Sequence, residues 1–214
     1  MMEREVGSRD FPIWLLGDSN PEQWQKSLLT PLDPRHPVRH NIWTSILDIA
    51  QDRVFRAGRL RVETRSLYIR NAVDNPRLKP NSTSVQWEQA TELEIAALQK
   101  LVQTHVPKLV LSFGAFSFEF ARRVLTQEPK YSYGYWGAKR LGDAFRQQIS
   151  LFDPKFTNVF PLLHRSVSGG KFIQSHDYFC GQEGADYFKF VGESIAGILL
   201  QHRNDLPIWI ESAG

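Results

Sequence analysis

The chain has 214 residues, 42% apolar and 23% charged, which suits one domain with a full core and excludes a disordered chain. A single cysteine, Cys180, excludes an internal disulfide and any cysteine-built metal or iron–sulfur centre, and the scattered histidines have no ligand spacing, so no cofactor or metal is expected. The formal net charge of +3, with a sequence pI near 9.0, leans toward a polyanionic partner without requiring one.

The amino end, MMEREVGSRD, is charged and lacks an apolar stretch, so no secretory signal is expected. No apolar run is long enough to span a bilayer. The expectation is a monomeric cytoplasmic protein without membrane contact. Pro12–Leu16, stopped by Gly17, reads as a buried strand. Ile42–Ala50 carries apolar residues at 42, 43, 46, 47 and 50, a helical spacing. Leu67–Val73 reads as a second strand, followed by a proline-bearing loop from Asp74 to Ser82. Thr83, with Gln86 three residues on, offers a cap for a long helix ending near His105. Lys108–Phe113 is a third strand ended by Gly114, with a helix over Ala115–Leu125. Phe156–Leu163 is a fourth strand. Tyr187, Phe190, Val191, Ile195, Ile198 and Leu199 mark the buried stripe of a last helix.

Strands alternating with helices predict an α/β fold in one domain, 1–214, with its core over about 12–200. The expected form has three layers, a mainly parallel four-stranded sheet with helices on both faces. In such sheets the site lies beyond the carboxyl ends of the strands. Three loops from separate parts of the chain fall there: Gly17-Asp18-Ser19-Asn20-Pro21, the turn after Asn71, and His164-Arg165-Ser166, with Gly114 among them. Arginines 35, 39, 53, 56, 59, 61, 65 and 70 crowd into one third of the chain, and Lys130, Lys139, Arg140 and Arg146 form a second group.

Leu67-Tyr-Ile-Arg-Asn-Ala-Val-Asp-Asn-Pro-Arg77 precedes a long helix and then Val106-Pro-Lys-Leu-Val-Leu-Ser-Phe-Gly114. His164-Arg-Ser-Val-Ser-Gly-Gly-Lys-Phe172 and Phe179 come later. In order and spacing these resemble motifs of the uracil-DNA glycosylase superfamily, most closely the branch whose first motif is GE[AG]PG. That branch carries YITN-V-K-x-R-P-P, then PK-V-x-x-LG, then HPS or HPA. The resemblance implies an enzyme that flips a non-standard pyrimidine out of DNA and hydrolyses its N-glycosidic bond, leaving an abasic site.

Such hydrolysis passes through a cationic sugar while the base leaves as an anion, so one group must place water and another must meet charge on the base. The resemblance gives the first task to Asp18, which matches the acidic residue of GE[AG]PG, or to Asn20, which matches the asparagine of GINPG and GMNPG. It gives the second task to His164. Asn71 would read the base through its paired donor and acceptor, and His36, His40 and Trp43 lie where a stacking ring is wanted. Ser166 would hold a phosphate. Arg165, Val167, Gly169, Gly170 and Lys171 would approach DNA, Val167 as a wedge.

Departures from the family bear on the substrate. The cluster cysteines of this branch are missing, Arg165 replaces the motif proline, and the insert Tyr131-Ser-Tyr-Gly-Tyr-Trp136 is aromatic. Rings and guanidinium suit a sugar. The base expected is uracil or glucosylated hydroxymethylcytosine, the latter implying defence against phage that carry it.

A rival reading comes from Leu16-Gly-Asp-Ser-Asn20, which resembles the first block of GDSL serine esterases with Ser19 as nucleophile. The later Gly-x-Asn-Asp block is missing, and the one Asp-x-x-His, Asp33-Pro-Arg-His36, lies near the amino end. A DNA-binding relative without turnover is a third reading.

Overall fold

The computed structural model describes residues 4–20, 28, 30, 31, 33, 35, 42–164 and 172–211. Three segments, β2 (Ile13–Gly17), β5 (Leu109–Phe113) and β6 (Asn158–Leu162), are buried almost throughout. Such continuous burial marks strands in the interior of a parallel sheet. With β4 (Tyr68–Asn71) and β1 (Glu5–Val6) they form one sheet in the order β1-β4-β2-β5-β6. β2 runs parallel to β4 and β5, and β6 runs parallel to β5.

The sheet therefore has five strands, not four. The additional one, β1, is antiparallel to β4. Its two residues sit in a charged stretch without alternation, so pattern alone could not reveal it. Side chains hold it instead: Glu5 accepts hydrogen bonds from the Tyr68 hydroxyl and the Arg9 guanidinium. A second, two-stranded antiparallel sheet pairs β3 (Leu60–Val62) with β7 (Trp209–Glu211). The Gln51 side chain mimics a further strand there, bonding both the N–H and the C=O of Val62 at 2.9 Å.

Six helices complete the described chain. α1 (Thr44–Gly58) extends the expected helix, because Val54 continues the buried stripe of Ile46 and Ala50. α2 (Gln89–His105) starts six residues later than Thr83. Thr83 is no cap for it: its N–H and hydroxyl both bond back to the Asn81 side chain, closing a local turn. α3 (Ala115–Val124) is buried at nearly every position. α6 (Tyr187–Gln201) is capped by Asp186, which accepts from the Lys189 N–H at 3.1 Å.

α4 (Ala138–Ser150) and α5 (Phe172–Cys180) were not foreseen. α4 buries only Leu141, Gly142 and Phe145 among charged residues, too thin a stripe to read. Gly142 makes the contact possible, since a Cβ there would sit 1.9 Å from the carbonyl oxygen of Phe179 on α5.

Side chains of the sheet divide between two apolar cavities. Trp14, Leu16, Tyr68 and Val110 meet Leu98 and Val102 of α2 and Ala121 and Val124 of α3. Ile13, Leu109 and Leu111 meet Ile46 and Ala50 of α1 and Ile195 and Leu199 of α6. Among the described residues, no helix is long and apolar enough to cross a membrane.

Candidate functional site

Because β2, β5 and β6 are parallel, their carboxyl ends come out side by side. Asp18 follows β2, Gly114 follows β5, and His164 follows β6 after one residue. All three line a single cavity of about 270 Å³, together with Lys79, Phe116, Tyr133 and Trp136.

Backbone geometry fixes His164. The Gly114 N–H donates to the Leu162 carbonyl at 2.8 Å, and the Leu163 N–H donates to the Tyr187 hydroxyl at 2.8 Å. Tyr187 is fully buried, and burial pushes its phenol up out of any physiological range. Gly114 has φ 94° and ψ 174°, a region open essentially to glycine alone. A Cβ on it would lie 2.8 Å from the Cβ of His164. Gly114→Ala is therefore expected to cost about 1–3 kcal/mol in backbone strain alone, lowering the melting temperature by about 2–4 °C per kcal/mol in a chain of this size. Thermal denaturation at the wild-type temperature would refute this account.

Asp18 is 16% exposed, and its Oδ2 accepts from Lys79 Nζ at 2.6 Å. Its Oδ1 is buried and accepts nothing from the protein. An unsatisfied buried acceptor costs about 1–3 kcal/mol, and more when charged, so a water or ligand donor there would be held well. Asn71 lies beside it, paired with Gly17 across β4 and β2. A Cβ on Gly17 would stand 2.3 Å from Asn71 Oδ1, so glycine lets the amide cross the strand end. The buried Nδ2 of Asn71 likewise has no hydrogen-bond partner.

Lys79 reaches the cavity because the loop after β4 folds back on itself. Asn75 accepts from the Arg77 N–H at 3.0 Å and opens a 3₁₀ turn over Pro76–Leu78, and Thr91 ties Leu78 to α2 at 2.6 Å. The ammonium then stands 5.2 Å from the centroid of Phe116 and 5.6 Å from that of Tyr133. Sequence reasoning missed Lys79. Its one signal was a lysine in a proline-bearing loop directly after a strand's carboxyl end.

The aromatic insert is anchored by Glu119 of α3, which is fully buried. Glu119 accepts from Trp136 Nε1 and Arg122 at 2.8 Å, from the Tyr131 N–H at 2.9 Å and from Arg123 at 3.2 Å. Tyr133 and Trp136 thereby become cavity wall. Tyr131 and Tyr135 instead stack on each other, ring centroids 4.1 Å apart, outside that lining.

Other expected site residues separate from this group. Asn20 is 3% exposed and Ser19 half-buried, and neither lines the cavity. Asn71 is adjacent without lining it. Trp43 is not brought to the site: its ring is buried edge-on to Phe113 and lines the apolar cavity beside α1 and α6. His36, His40, Arg165, Ser166, Val167, Gly169, Gly170 and Lys171 lie outside the described residues. Ser175 of α5 also lines the cavity and was not foreseen. Burial pushes the Cys180 thiol up to about 11, which makes it a poor nucleophile. Among the described residues no group of three or more His, Cys, Asp or Glu could hold a metal ion.

No protein-family model matches the chain, and no curated protein matches it.

Proposed function

We propose that the chain is a DNA glycosylase of the uracil-DNA glycosylase type, built on that family's three-layer α/β plan. One observation carries the reading: Asp18 and His164, from the ends of two strands with a third between them, line one cavity. Its volume of about 270 Å³ falls just below the range for drug-sized ligand sites, about 300–1,000 Å³, which suits a flipped base.

In the proposed reaction the water oxygen bonds to C1′ of the deoxyribose while the C1′–N bond breaks and its electron pair passes to the base. Asp18 accepts a hydrogen bond from that water at Oδ1, then its proton, and its charge faces the cationic sugar. His164 donates to the base oxygen that gains charge. Asp18 is preferred over Asn20 because it alone of the two lines the cavity.

The wall of Tyr133 and Trp136 favours a base that carries a sugar, because flat rings stack on sugar faces. Glucosylated hydroxymethylcytosine in phage DNA is therefore the preferred substrate, with uracil the alternative. The test is to incubate the protein with oligonucleotides bearing each base and to follow alkali-labile cleavage, with ester hydrolysis run in parallel. Cleavage at one of these bases is expected. Ester hydrolysis without base release would reject the reading.

A further inference from the structure

We propose that Lys79 is a catalytic residue of the same site, the group that meets negative charge on the departing base. This deepens the glycosylase reading and rests on it. Among the described lining residues of the cavity, Lys79 is the one lysine or arginine. It is 28% exposed, its ammonium lies 2.6 Å from Asp18, and it stands over the rings of Phe116 and Tyr133.

Glycosidic hydrolysis separates charge: the sugar becomes cationic and the base anionic. The cavity presents a fixed pair of the matching signs. With no ligand bound, Asp18 and Lys79 face each other; with a nucleotide between them, the carboxylate faces the sugar and the ammonium faces the base. Opening the 2.6 Å contact is part of the cost of binding the nucleotide. Once it is open, two aromatic faces restrain the ammonium, so little further reorganisation accompanies the bond-breaking step, the condition under which such charges lower a barrier most. The electron pair of the broken C1′–N1 bond spreads onto the base oxygens, where Lys79 and His164 both donate.

The alternative is that Lys79 only holds Asp18 in place, and leaving-group dependence separates the two. Electron withdrawal by fluorine lets 5-fluorouracil bear the charge with less help than uracil needs. In single-stranded oligonucleotides, Lys79→Met is expected to slow uracil release about a hundredfold and 5-fluorouracil release severalfold less. Lys79→Arg should restore most of the uracil rate. The ratio of the two rates within one preparation does not depend on the fraction folded. Equal slowing for both bases, with release by the wild type intact, would overturn the role of Lys79 alone. A wild type that releases neither base removes this inference and the uracil form of the glycosylase reading together.

Discussion

Asp18→Ala is expected to slow base release by about a hundredfold to a thousandfold, the usual loss when one charge-stabilising group is removed. Binding to unmodified duplex should not weaken. Affinity for DNA comes mainly from phosphate contacts and counterion release, and the loss of a carboxylate removes repulsion, if anything. Lys79 would lose its partner but keep its seat over Phe116 and Tyr133. The contrast is Asn20→Ala. Asn20 is buried and outside the cavity lining, so its replacement should lower the melting temperature and leave the rate of the folded fraction largely intact. Single-turnover rates, duplex affinity and melting curves on the same preparations decide the matter. Should Asn20→Ala abolish release at an unchanged melting temperature while Asp18→Ala stays active, the assignment of the two residues reverses. Should Ser19→Ala inactivate and both others stay active, the esterase reading takes its place.

Much of this site was legible in the sequence because it hangs on strand ends. Buried parallel strands announce themselves as apolar runs, and β2, β5 and β6 lie within a residue or two of the expected segments. Once those runs are placed, the residues after them, Asp18, Gly114 and His164, must emerge at one edge. Lys79 and Ser175 were not legible for the opposite reason. They reach their places through elements that leave no period, a 3₁₀ turn and an unforeseen helix, whereas Glu119 sits on the expected helix over Ala115–Leu125 and only its burial between two arginines was hidden. A glutamate in the segment Phe116–Val124 reads as a solvated face until its partners are known. Trp43 illustrates the converse, a ring in the right stretch of chain that the start of α1 turns into the core.

Glu119→Ala is expected to destabilise the molecule by about 3–5 kcal/mol, because it strips a buried ion pair of one partner and leaves the other charged. Here two partners lose a carboxylate, although Arg123 keeps a second one, Glu92 at 3.4 Å. Arg122 and Arg123 are both buried. Arg123 would keep its bonds to the Val85 and Tyr131 carbonyls and its place 3.7 Å from the Trp87 ring centroid, and Arg122 its bond to the Pro129 carbonyl at 3.0 Å. Neither would retain the Glu119 carboxylate. Against a total stability of about 5–15 kcal/mol, that is a large share, and the melting temperature of the alanine variant should fall by about 6–20 °C, as thermal denaturation would measure. Trp136→Phe keeps the Glu119 carboxylate and its contacts to both arginines, and removes the indole N–H that ties the wall to α3 together with part of the ring that packs beside Arg122 and Phe118. Its cost in stability should be at least that of one hydrogen bond, about 0.5–1.5 kcal/mol, with a further loss from ring packing, and it should also change selectivity. If the glycosylase reading holds, a loosened wall loses stacking on the bulky base, a contact worth about 1–3 kcal/mol, and the rate on glucosylated hydroxymethylcytosine falls relative to uracil. A Trp136→Phe protein with unchanged selectivity would mean that Glu119 stabilises the insert without shaping the pocket.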